Sequence, residues 1–137
     1  MTAAAPPDWT GGTPQLIVYR CQACGHTWYL PRQACPACGR TDVTPVVSAG
    51  AGVVVASTTV WRRPDVSRDR AGPVGIALVD LAEGGRAMGR CRPGTPVGTR
   101  VRAVFVTEPA GHAEHAEDGE HSKDGGRLLP MFEPEGE

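Results

Sequence analysis

Four cysteines fall in two short motifs, Cys21-Gln22-Ala23-Cys24-Gly25 and Cys35-Pro36-Ala37-Cys38-Gly39, separated by ten residues. Thiolates are soft donors, and two of them three positions apart can reach one metal ion from a tight turn. The glycine after each pair lets the backbone curl so that main-chain N–H groups point at sulfur. Together the motifs offer a tetrahedral shell of Cys21, Cys24, Cys35 and Cys38 with no position left for water. Such a closed shell suits one structural Zn2+ per chain, which holds the fold and does no chemistry.

Iron in the same four-thiolate site is the lesser alternative. Rubredoxins use paired knuckles of this kind, and residues 35–39 match their second one, but their connection between knuckles is usually much longer. Disulfides rank below both. Residues 1–7 carry neither a basic n-region nor an apolar h-region, so the expected compartment is a reducing cytoplasm, where such cysteines read as metal ligands. His26 follows the first knuckle and is expected beside the site, not in it.

Catalytic chemistry is hard to place elsewhere, and no catalytic residue is assigned. A covalent cysteine nucleophile would need a histidine base. The fifth cysteine, Cys91, sits in a strand-like stretch between Arg90 and Arg92, and no histidine falls within the strands; it reads as a small buried residue. Asp80 and Glu83 are the only acids between residues 72 and 107, one expected at a strand end and the other beside a turn. Residues 111–126 hold three histidines and five carboxylates, enough to attract a divalent ion weakly. Without apolar anchors, that stretch reads as a solvated, disordered loop.

The elements that must position the cysteines follow from composition and pattern. With 18 glycines, 13 prolines and 7 aromatics in 137 residues, short strands and turns are favoured over long helices. Residues 1–15 read as a flexible lead-in, 16–45 as the zinc ribbon and 46–134 as a second domain, with a disordered loop at 109–126. Within the second domain, residues 43–61 look like one long strand entering from the ribbon, bent or bulged at Gly50 and Gly52. Residues 62–72 form a polar connection, and residues 73–82 and 87–92 make a hairpin about Glu83-Gly84-Gly85-Arg86. Residues 99–107 alternate, with Val101, Ala103 and Phe105 on one face and Arg100 and Arg102 on the other, and residues 128–132 complete the set. The expected fold is all-β: an N-terminal rubredoxin-like zinc ribbon followed by a small five-stranded OB barrel. The uncharged stretch at 46–61 is broken by Gly50, Gly52 and four hydroxyl residues, so no membrane span is expected.

Charge is uneven along the chain. Residues 1–107 carry twelve arginines against six acids, whereas residues 108–137 carry Lys123 and Arg127 against nine acids. An arginine-rich body could meet phosphates, and a nucleic-acid-binding ribbon/OB module is the alternative function. Against it, residues 62–104 contain no aromatic side chain on which a base could stack, and the acidic segment would repel a phosphate backbone. Trp28, Tyr29 and Trp61 serve equally well as partner anchors or as caps on a thin core.

The order of motifs resembles the DUF35 family. After the ribbon come Ser48-Ala49-Gly50-Ala51-Gly52-Val53-Val54, then Ser57-Thr58-Thr59-Val60, a proline-led apolar strand, a Gly-Gly hairpin, Pro96-Val97-Gly98 and Leu129-Pro130-Met131-Phe132-Glu133-Pro134. The likeness extends from residue 16 to 134. It departs at Leu30-Pro31-Arg32, where the family typically has an aromatic and two prolines, at the short lead-in, where relatives often have a helix, and at the acidic insertion. The resemblance implies a non-catalytic accessory subunit that binds a thiolase-superfamily enzyme (a thiolase, an acyltransferase or a retro-aldolase of lipid or steroid side-chain degradation) in a hetero-oligomer. The partner would supply the catalysis, while the small subunit stabilises it and helps shape an acyl-CoA or CoA site.

Overall fold

Leu16, Ile17, Val18 and Tyr19 are all buried, because the strand they form is covered on both faces. This strand, β1 (Leu16–Cys21), is the centre of a three-stranded antiparallel sheet flanked by β2 (Thr27–Trp28) and β3 (Val43–Ser48). Tyr19 pairs with Trp28 across one edge, and Leu16 with Ser48 across the other. The structure, a computed structural model, describes residues 6–62, 72–109 and 126–135.

Five further strands close a barrel: β4 (Ala51–Arg62), β5 (Gly72–Leu81), β6 (Arg86–Cys91), β7 (Arg100–Pro109) and β8 (Gly126–Pro134), in the order β4-β5-β6-β8-β7. All the pairings are antiparallel except β6 with β8, where Arg90 and Cys91 run alongside Met131 and Phe132. Val54, Ala77, Val79, Leu81, Ala87, Val101 and Phe132 fill the interior at 4% exposure or less. Alternation along β5 and β7 aims one residue in two inward, the pattern a half-buried strand requires. The fold is the expected all-β combination of ribbon and five-stranded barrel, and no helix of the described residues is long and apolar enough to cross a membrane.

The two sheets share a core. Side chains alternate across β1, so Leu16 and Val18 join the barrel cluster while Ile17, Tyr19 and Cys21 pack with Trp28 and Cys35 on the ribbon side. The sequence-based division at 45/46 therefore cuts through β3, which belongs to the ribbon sheet as far as Ser48.

The bend expected at Gly50 is present, and three details differ from the sequence pattern. Residues 43–61 are not one strand. The chain leaves the ribbon sheet after Ser48, turns at Gly50 with φ of 85°, and begins β4 at Ala51. The bulge lies further on, between Val54 and Ala56, where the register to β5 shifts. The lead-in is also anchored from Asp8 onward. Asp8 caps a 3₁₀ turn at Trp9–Gly11 by accepting from the Thr10 N–H, and Trp9 packs against the barrel core. The connection at 63–71 and the histidine- and acid-rich segment at 110–125 lie outside the described residues.

Candidate metal centre

Each knuckle is built by the same hydrogen bonds, fourteen residues apart. The Gly25 N–H donates to the Cys21 carbonyl and the Gly39 N–H to the Cys35 carbonyl, both at 2.8 Å. The Cys21 N–H donates to the His26 carbonyl and the Cys35 N–H to the Arg40 carbonyl, again at 2.8 Å. Both turns need a left-handed residue, and Gly25 (φ 82°) and Gly39 (φ 83°) supply it where a Cβ would be strained. The curl then turns main-chain donors toward sulfur. Cys24 N–H faces Cys21 Sγ at 3.5 Å, and Ala37 and Cys38 N–H face Cys35 Sγ at 3.3 and 3.4 Å.

The four sulfurs lie within 4.8 Å of one another. Cys21 Sγ is 3.6 Å from Cys38 Sγ, and Cys24 Sγ is 3.7 Å from Cys35 Sγ. A tetrahedral zinc site with its usual bond lengths sets its sulfurs about 3.8 Å apart, so the donor set fits such an ion and is too open for a disulfide. One cysteine of each knuckle is buried, Cys21 and Cys35, and one is exposed, Cys24 and Cys38.

The thiols also differ in acidity. The Cys24 N–H, and then that of Ala23, hold the Cys21 thiol down at about 7 despite its burial. Burial opposes ionisation of Cys35, but the N–H groups of Cys38 and Ala37 outweigh it and its pKa is lowered. Cys24 receives help from the His26 N–H, yet partial desolvation of its sulfur within the cluster and the competing Cys35, Cys38 and Cys21 thiols drive it up to about 11. Four sulfurs this close cannot all be thiolates without a cation among them.

The remaining sequence candidates are dispersed. His26 is exposed and stacks on Trp28, with ring centroids 5.7 Å apart, and it is not part of the sulfur cluster. Cys91 is 3% exposed, and burial raises its pKa, which disfavours the thiolate a nucleophile would need. Asp80 pairs with Arg86 on the surface through bonds of 2.6 and 3.2 Å. Glu83 is not simply a turn residue. Its carboxylate accepts from Ser48 Oγ at 2.7 Å and from the Ala49 N–H at 2.9 Å, across 35 and 34 positions of sequence. Of the three aromatics weighed as anchors or caps, Trp28 is buried and Tyr29 packs on the core, while Trp61 is 72% exposed.

The family profile described as the ChsH2 rubredoxin-like zinc ribbon domain matches residues 9–44, and the ChsH2 C-terminal OB-fold domain matches residues 45–106. A DUF35 domain-containing scaffold protein of Methanocaldococcus jannaschii is 35% identical over 95 residues, covering 66% of this chain and 67% of its own length. A probable enoyl-CoA hydratase alpha subunit of Thermomonospora curvata is 35% identical over 72 residues, which is 53% of this chain but only 22% of that protein. Among solved structures, a chain of the Ltp2-ChsH2(DUF35) aldolase superposes with a TM-score of 0.62 at 26% identity, covering 88% of this chain and 84% of that one. A DUF35-family protein of unknown function from Sulfolobus solfataricus shares the fold, with a TM-score of 0.53 at 15% identity and coverage of 88% and 76%.

Proposed function

The chain belongs to the DUF35 family, and we propose that it is a non-catalytic accessory subunit that binds a thiolase-superfamily enzyme and supports acyl-CoA chemistry carried out by that partner. The single observation that carries this reading is the likeness to the Ltp2-ChsH2(DUF35) aldolase chain over most of both molecules. The two relatives, a scaffold protein and a probable hydratase subunit, point the same way. The described residues are consistent with it: the sulfur cluster is closed, and Cys91 is buried without a histidine base among the described residues around it. In this reading Cys21, Cys24, Cys35 and Cys38 hold one structural Zn2+, and the chain works in the cytoplasm. The partner is a thiolase, an acyltransferase or a retro-aldolase, and this subunit stabilises it and borders its CoA or acyl site.

A tagged copy purified natively from its own host, with mass spectrometry and metal analysis of the same sample, tests the proposal. A thiolase-like protein in fixed ratio and one zinc per chain is the expected result. Recovery of nucleic acid in its place, or turnover of an acyl-CoA by the isolated chain, would overturn it.

A further inference from the structure

One turn of the barrel grips both strands that leave the metal knuckles. The residues between β5 and β6 begin with Glu83, whose carboxylate receives the Ser48 hydroxyl and the Ala49 N–H at the end of β3, the strand that continues from the second knuckle. Ser48 Oγ in turn accepts from the Gly50 N–H at 2.9 Å, so the corner that carries the chain into the barrel is fixed by the same carboxylate. The next two residues reach the other edge of the ribbon sheet. A Cβ on Gly84 would lie 2.8 Å from Thr27 Cβ, and one on Gly85 would lie 3.1 Å from the Trp28 carbonyl carbon and 3.2 Å from the Tyr29 nitrogen. Thr27 and Trp28 are β2, the strand that returns from the first knuckle. Both glycines have positive φ, 112° and 91°, so the tip takes this path against β2 with no side chain between.

We infer that Glu83 is a positioning residue for the metal centre: the 83–85 turn holds β2 and β3 at the spacing that brings the two knuckles together, so metal affinity depends on a carboxylate that never touches the metal. The inference rests on the reading of the four cysteines as ligands of one ion. If the turn pre-forms the sheet, the ion is spared that ordering when it binds. Loosening the turn returns that cost to the binding step, and the coupling is reciprocal. Glu83→Gln keeps the size of the side chain but exchanges one acceptor oxygen for an NH2 that faces another donor. Asp80→Asn, which breaks only the neighbouring surface pair with Arg86, is the control.

The test is a chelator-competition titration of the full chain with Zn2+, and with Co2+ as a visible probe of four-thiolate geometry. Glu83→Gln is expected to lower affinity by about 5- to 100-fold, while the spectrum at saturating Co2+ stays that of the wild type because the ligands are untouched. Asp80→Asn is expected to stay within about twofold, the range of an exposed ion pair. Equal affinities for wild type and Glu83→Gln would overturn the inference. A wild-type chain that takes up no metal would overturn the metal reading itself, a distinct result. Should Glu83→Gln fail to fold even with excess Zn2+, Ser48→Ala, which removes one hydroxyl donor, takes its place: a several-fold loss supports the inference, and unchanged affinity overturns it.

Discussion

Trp9 and Tyr29 meet through one hydrogen bond, indole Nε1 donating to the phenol oxygen at 2.8 Å, and this contact ties the residues ahead of the first strand to the ribbon. Trp9 is half-buried against the barrel core, and the 3₁₀ turn that carries it is closed by Asp8. Trp9→Ala should cost about 1–3 kcal/mol in stability, less than a fully buried tryptophan because part of the ring already meets water. Trp9→Phe keeps most of the packing and should cost about 1 kcal/mol, the net worth of the lost bond. Chemical denaturation of the two variants checks the order.

Cys38→Ser should reduce bound zinc from one per chain to a small fraction under chelator concentrations that leave the wild type loaded. The ribbon sheet should lose its protection from hydrogen exchange, and partner binding should fall with it. Full metal content and full partner affinity in this variant would contradict the assignment of Cys38 as a ligand.

Leu16 is 1% exposed and belongs to the barrel cluster although its strand belongs to the ribbon sheet. Leu16→Ala should destabilise by about 2–5 kcal/mol. Because the core is shared, the ribbon and barrel amides should lose protection together, not in two stages. Hydrogen exchange resolved along the chain would show which.

The pKa of Glu83 is lowered from its ordinary value of 4.5. Burial works against the charge, but the Ala49 N–H, the Ser48 hydroxyl and the nearby Arg20 outweigh it. A carboxylate more acidic in the folded state stabilises the fold at pH values above its unfolded pKa, and that contribution is lost as pH falls through the lower folded value. The stability gap between the wild type and Glu83→Gln should therefore be full at pH 7 and shrink below about pH 4.5. Unfolding measured across that range gives the sign directly.

The cysteine cluster was legible in the sequence because its geometry is local. Three-residue spacing and a following glycine determine each knuckle, and the structure brings the two together as two such motifs on a short hairpin would. The strands of the barrel were equally readable from alternation, most clearly Val101, Ala103 and Phe105. The bend after Ser48 was marked by Gly50, but that it ends one strand and starts another was not legible, because the capture of Ser48 and Ala49 by Glu83 that fixes the corner comes from a distant turn. That capture joins residues 35 apart and leaves no periodic trace. Trp9 did carry a signal: a large aromatic among alanine, proline and glycine, directly after a capping aspartate, needs a surface to cover it.

Parallel pairing of β6 with β8 has a consequence for how the chain is made. The ribbon strands pair within 33 consecutive residues, from Leu16 to Ser48, whereas the 83–85 turn that braces them comes later and the barrel stays unsealed until Met131 and Phe132 arrive beside Arg90 and Cys91. On a ribosome, the cysteine knuckles emerge while the barrel strands are still being synthesised, so an ion taken up before the 83–85 turn arrives is held with the lower affinity of the unbraced sheet. Leu16 and Val18 then offer a pre-formed apolar surface on which the later strands can condense. Synthesis order and metal supply would thus act on the same step, and a cell short of the metal would meet this folding problem before β8 had left the ribosome.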